Sequence, residues 1–187
     1  MRPIFVLLLV FLLQTAEPPR HQLDLEPLLK DPVALQKLRI MYQLPSHKVY
    51  QAFFVYGDGR VVWQAYSKRP MSSTEVPTCR NKIDPDKVKK LIRLIIEKHF
   101  FDLPEKQFIY VYASQNSEED LEVHSIAIDD GVGKAFREFG IGEYAGKEES
   151  IPPNFSSIEQ ELKNLKDTAF PLSAMNCHLA PAINFWK

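Results

Sequence analysis

Val49-Tyr50-Gln51-Ala52-Phe53-Phe54-Val55-Tyr56, Gly57-Asp58-Gly59-Arg60 and Val61-Val62-Trp63-Gln64-Ala65-Tyr66 run consecutively, and this stretch decides the fold. Two runs rich in aromatic and β-branched residues flank an Asp-Gly pair. That is the pattern of a β-hairpin, because both central positions of a two-residue primed turn need positive φ. With Asp58 and Gly59 as the turn, Tyr56 faces Val61, Val55 faces Val62, Phe54 faces Trp63 and Gln51 faces Tyr66. The Phe54–Trp63 pair would be a favourable cross-strand aromatic contact. Both faces of the hairpin carry apolar groups, so it is expected inside a larger sheet or covered on both sides.

Helices flank this hairpin. Upstream, residues 17–30 hold Pro18, Pro19 and Pro27 and read as an extended arm. Asp31-Pro32 then opens a short helix, with Asp31 as N-cap and Pro32 in the first helical position. Leu35, Leu38 and Tyr42 supply its apolar stripe, and Leu44-Pro45 ends it. Downstream, a loop over residues 67–82 leads to the strongest helical signal. Asp84 caps it, Pro85 begins it, and Val88, Leu91, Ile92, Ile95 and Ile96 recur at the spacing of a buried stripe. Phe100, Phe101 and Leu103 extend the apolar contact before Pro104. Its outer face carries Lys87, Lys89, Lys90, Arg93 and Lys98, moderated by Asp86 and Glu97, and reads as a solvated surface rather than an anion-binding one.

Three further strands are expected, at residues 107–113, 121–128 and 134–139. Gly140-Ile141-Gly142 would end the last of them. Pro152-Pro153-Asn154 opens a final helix with Phe155, Ile158, Leu162 and Leu165 on one stripe. The tail from Phe170 to Lys187 reads as an irregular segment packed on the surface. The expected class is therefore α+β: an antiparallel sheet of about five strands with two main helices, in the order ββαβββα, plus the short N-terminal helix.

This order resembles a family of exported bacterial domains of unknown function. The likeness rests on Tyr56-Gly57-Asp58-Gly59-Arg60-Val61, on Ile83 through Leu103 with its Phe-Phe-x-Leu ending, on Ile126 to Phe136, and on Pro152 to Leu165. It spans residues 48–168. Family members often have a glycine in the loop before the helix, where this chain has Cys79-Arg80-Asn81. The shared motifs are turn and helix punctuation, so the resemblance implies a fold and says almost nothing of chemistry.

The first residues carry a targeting signal. Arg2 precedes Ile4 to Leu13, ten residues without a polar side chain. Such a helix is about 15 Å long, half of the roughly 30 Å hydrocarbon core. It is short for a membrane anchor and right for a signal-peptide core. Ala16 is the expected last residue removed, although Gln14 is not the small residue such a site prefers; the alternative is an uncleaved, weakly inserted helix. The rest, about 170 residues, suits one domain with its own core: an arm to residue 47, the α+β domain over 48–169 and the tail over 170–187.

Charge and composition narrow the function. A net charge of −1 disfavours a dedicated nucleic-acid binder. Cys79 and Cys177, the two cysteines, have three readings. In an exported chain they form one disulfide; otherwise they are two free thiols, or ligands of a metal site completed by His178. Their spacing matches no zinc pattern. No nucleophile elbow, zinc-binding His-Glu-x-x-His or phosphate-cradling glycine loop is present, and no cofactor motif. Of the five histidines, His99 ends the main helix, where an imidazolium suits the last carbonyls. His124 lies in a strand and could face a cleft beside Glu122 or Asp129. Glu118, Glu119, Asp120, Asp129 and Asp130 lack the alternating ligand spacing of a calcium loop. Asn154-Phe155-Ser156 is a glycosylation sequon in which Asn154 also reads as a helix-start residue. The expectation is a monomeric, non-catalytic exported module binding a protein or small ligand, with Tyr110, Tyr112 and His124 as candidate binding residues. The alternative is a small hydrolase or thiol-dependent enzyme using Cys79, Cys177 and His178, or His124.

Overall fold

The computed structural model describes residues 23–44, 49–67, 75–109, 121–142, 151–171 and 176–185. The apolar run at residues 4–13, Tyr110, Tyr112 and the acidic residues 118–120 lie outside them. Among the described residues, eight strands form one sheet: β1 (Arg39–Leu44), β2 (Val49–Tyr56), β3 (Arg60–Ser67), β4 (Glu75–Lys82), β5 (Lys106–Ile109), β6 (Leu121–Asp129), β7 (Lys134–Gly142) and β8 (Cys177–Pro181). Their spatial order is β5-β7-β6-β1-β2-β3-β4-β8. The helices are α1 (Glu26–Lys30), α2 (Pro32–Leu35), α3 (Pro85–Glu97) and α4 (Pro153–Ala169).

The α+β class holds, but the sheet is larger than five strands and not wholly antiparallel, since β5 runs parallel to β7. Three segments account for the difference. Residues 39–44 form a strand between β2 and β6, not a helix end. Ile40 and Tyr42 are fully buried while Arg39, Met41 and Gln43 are half-buried, a period of two. Leu35, Leu38 and Tyr42 imitate one helical stripe by their spacings of three and four, although Leu35 ends α2 and only Tyr42 lies in β1. Residues 75–82, expected as loop, pair with β3, and residues 177–181, expected as irregular tail, pair with β4. Proline in each hides its strand character. Gly140-Ile141-Gly142 continues β7 instead of ending it.

The hairpin exists in a register one residue from that expected: Phe53 faces Trp63, Phe54 faces Val62 and Val55 faces Val61. The loop has three residues, not two. Gly59 N donates to Tyr56 O at 2.9 Å, Asp58 Oδ1 accepts from Arg60 N at 3.0 Å, and only Gly59 of the loop has positive φ, at 86°. This is a type I turn closed by a left-handed glycine, which adds a residue and moves every pair by one.

That register sorts the apolar groups onto two faces. Phe53, Val55 and Val61 join Ile40, Tyr42, Ile126, Ile128 and Phe139 beneath the helices. Val88, Leu91, Ile92 and Ile95 of α3 and Phe155, Ile158, Leu162 and Leu165 of α4 complete this core; α4 buries the stripe expected of it, and α3 does so except for the half-buried Ile96. Asp31 and Asp84 cap α2 and α3 through backbone N–H groups, each followed by proline. Asn154 is the second residue of α4, a helix-start position as expected, and the N-cap is Pro152, without a side-chain bond. On the opposite face Ala52, Phe54, Val62 and Ala127 make a smaller cluster with Phe185 of the tail. The hairpin is thus both inside a larger sheet and covered on both faces.

Candidate functional site

The helix-covered face holds one buried polar cluster. Alternation along β6 turns His124, Ile126 and Ile128 toward the helices, and on β1 Tyr42 points the same way. Glu159 comes down from α4, one residue after the buried Ile158. Its Oε1 accepts from Tyr42 Oη at 2.7 Å and from His124 Nδ1 at 2.7 Å, and Lys163 Nζ, one turn along α4, lies 3.2 Å away. Tyr42, His124 and Glu159 are each less than a tenth exposed. Burial alone would push the Glu159 carboxyl up. The hydrogen bonds from His124 and Tyr42, with the charges of His124 and Lys163, outweigh it and hold the group below its ordinary value.

Chemically, a carboxylate on Nδ1 fixes the orientation of the imidazole, as it does for a positioned general base. Here the pair is enclosed between sheet and helix. What it plainly does is fasten α4 to two adjacent strands. Glu159 is therefore a partner of His124 that the sequence did not suggest, while the side chain of Glu122 lies outside the described residues. Asp129 projects from the other face of β6, pairing with Arg39, with Lys134 Nζ at 3.6 Å. Asp129 Oδ1 also accepts from Gly131 N at 2.8 Å, making the expected turn. Glu159 was missed because on sequence it is one of several charged residues on α4; only packing reveals that it faces inward.

The cysteines meet at the far edge of the sheet. Cys79 on β4 is directly opposite Cys177 on β8, with Cα atoms 4.2 Å apart and the sulfurs within bonding distance. Cys79 is buried and Cys177 exposed. His178, next in the chain, projects to the other face and contacts the Arg80 guanidinium. Among the described residues no group of three or more histidine, cysteine, aspartate or glutamate side chains is placed to hold a metal ion. His99 is exposed and left-handed, with φ 50°; its ring lies 3.5 Å from Asp102 rather than on the helix carbonyls.

Near the cysteines, Gln64 is fully buried on the face opposite the helices. Its Nε2 donates to Thr78 Oγ1 at 3.0 Å and to Pro181 O at 3.1 Å, and its Oε1 accepts from Ile183 N at 2.9 Å. One side-chain amide thus grips the tail as it leaves β8. The tail then lays Phe185 over the second apolar cluster, its ring 5.5 Å from Arg39 and 6.0 Å from Lys134.

No family model and no curated protein matches this chain. Among the described residues, no helix is long and apolar enough to cross a membrane.

Proposed function

We propose that this chain is an exported, non-catalytic α+β domain that binds a protein or a small ligand. The observation that carries the reading is the Cys79–Cys177 pair at bonding distance across β4 and β8. Such a pair persists as a disulfide in an oxidising compartment and is kept as thiols in a cytosol. The apolar run Ile4–Leu13 behind Arg2 supplies the means of reaching that compartment.

The same pair weighs against a thiol-dependent enzyme, because a bonded sulfur is not a nucleophile and the nearby His178 sits against a cation instead of a thiol. Enclosure of His124 and Glu159 weighs against a hydrolase built on His124, since a general base must reach the proton it removes. Near-neutral net charge favours a protein or uncharged ligand over nucleic acid.

Cell fractionation with thiol alkylation before lysis tests this. The full chain is expected outside the cytoplasm, cut after Ala16, with both cysteines protected until reductant is added. Recovery in the cytosol with two alkylatable thiols overturns the reading, and a reactive thiolate in the exported protein replaces it with the enzyme.

A further inference from the structure

We propose that the Cys79–Cys177 disulfide is a redox lock on a C-terminal strap, residues 177–185, whose release uncovers the apolar face of the sheet opposite the helices. The proposal rests on the export reading, because the bond needs an oxidising compartment to form.

Besides the disulfide, contacts among the described residues hold the strap in three places. The first is β8 itself, an edge strand with five register partners on β4. That ladder is thin: Pro77 and Pro181 bring no N–H group to it. Of the strand's side chains only Ala180 is buried. The second is the grip of Gln64 on Pro181 O and Ile183 N. The third is Phe185, buried against Ala52, Phe54, Val62 and Ala127, with its carbonyl accepting from Lys134 Nζ at 3.3 Å. The disulfide is the one covalent hold. It closes a loop with a sequence separation of 98, so without it the strap end must be found again from a long tether. Among the described residues none of 177–185 belongs to the helix-side core, which meets the strap through Cys79, so that core is expected to survive release of the strap.

Exposure sets the direction of attack. Cys177 faces solvent and Cys79 does not. A thiolate of a dithiol reductant attacks Cys177 Sγ; the sulfur–sulfur bond breaks, a mixed disulfide forms and Cys79 leaves as a thiolate. The reductant's second thiolate then closes on its own sulfur of the mixed disulfide and releases Cys177. The reductant is oxidised to its disulfide, two electrons pass to the cysteines, and its two thiol protons end on them.

The experiment is hydrogen exchange on the exported, oxidised full chain before and after native-state dithiothreitol, with alkylation to count thiols. The lock predicts no alkylation before reduction and two sites after it. It also predicts exchange about tenfold or more faster over residues 177–185, with β6 and α4 unchanged. A Gln64→Ala variant with the bond intact is expected to loosen residues 182–185 while β8 stays protected. Reduction without faster exchange overturns the lock and leaves a plain staple, and loss of protection throughout the domain overturns it in favour of global unfolding. A bond that resists native-state dithiothreitol overturns it as well. An exported chain with two free thiols removes the disulfide but not export, whereas a chain found only in the cytosol removes both.

Discussion

His124 Nδ1 donates to Glu159 Oε1 across 2.7 Å, joining the middle strands of the sheet to α4 over 35 positions of sequence. With Tyr42 bonded to the same oxygen, removing the carboxylate takes one shared acceptor from two buried groups at once. Glu159→Ala is therefore expected to lower unfolding free energy by about 3 kcal/mol, the range for breaking a buried hydrogen-bonded charge pair. Tyr42→Phe is expected to cost about 1 kcal/mol, a single neutral donor. Urea denaturation checks both. Equal costs for the two variants would contradict the central place given to the carboxylate.

The same cluster sets an acid sensitivity. The Glu159 carboxyl is held below its ordinary value of 4.5 by His124, Tyr42 and Lys163, against the effect of burial. A carboxyl depressed in the folded state adds stability that is present above its unfolded value and lost as pH falls through the folded one. As pH falls through and below 4.5, unfolding free energy of the wild type is expected to drop by more than that of Glu159→Gln, so the two curves converge in acid. Parallel curves would show that Glu159 is not depressed.

Gly57 and Gly59 set the hairpin's register for different reasons, and substitution separates them. Gly59 has φ 86°, and a Cβ there would sit 2.5 Å from Ile83 O. Gly57 has ordinary φ, but a Cβ there would overlap the Leu35 carbonyl, which no side-chain movement relieves. Gly59→Ala is expected to cost about 2 kcal/mol, strain plus a tight contact. Gly57→Ala is expected to cost more, because the turn after α2 must move. Thermal unfolding ranks them, and the reverse order would refute this account of the loop.

The legible parts of the fold are those written in local chemistry. Asp31-Pro32, Asp84-Pro85 and the stripes of α3 and α4 declare helices through caps and spacing, and the hairpin is visible in its aromatic runs. What sequence did not show was set by non-local pairing. β4 and β8 hold together across 98 positions and carry proline, so neither looks like a strand alone. β1 is a central strand only because β2 and β6 flank it. The hairpin slipped by one residue because Gly57-Asp58-Gly59 satisfies a two-residue and a three-residue turn equally well until φ at Gly59 is known. At the candidate site His124 was visible as a strand histidine. Glu159 was not, since its inward direction depends on how α4 lies on the sheet.

Arg137 ties the turn after α3 to the sheet. It projects from β7 toward the helix side, nearly buried, and its guanidinium serves carbonyls instead of a carboxylate. Nη2 donates to Phe101 O at 2.6 Å, Nε to Phe100 O at 3.3 Å and Nη1 to Phe136 O at 2.7 Å, while the charge lies 5.5 Å over the Phe100 ring. The bonds to Phe100 O and Phe101 O hold the short 3-10 turn Phe100–Asp102, which follows α3, against the sheet. A lysine keeps the charge but cannot reach three carbonyls from one planar group. Arg137→Lys is accordingly expected to cost about 2 kcal/mol, close to the cost of Arg137→Ala, because planarity rather than charge is what is used. Hydrogen exchange should show the loss first at Asp102 and Leu103, whose N–H groups bond within that turn to His99 O and Phe100 O. Full retention of stability by Arg137→Lys would mean that charge near Phe100 is sufficient and that the carbonyl bonds contribute nothing.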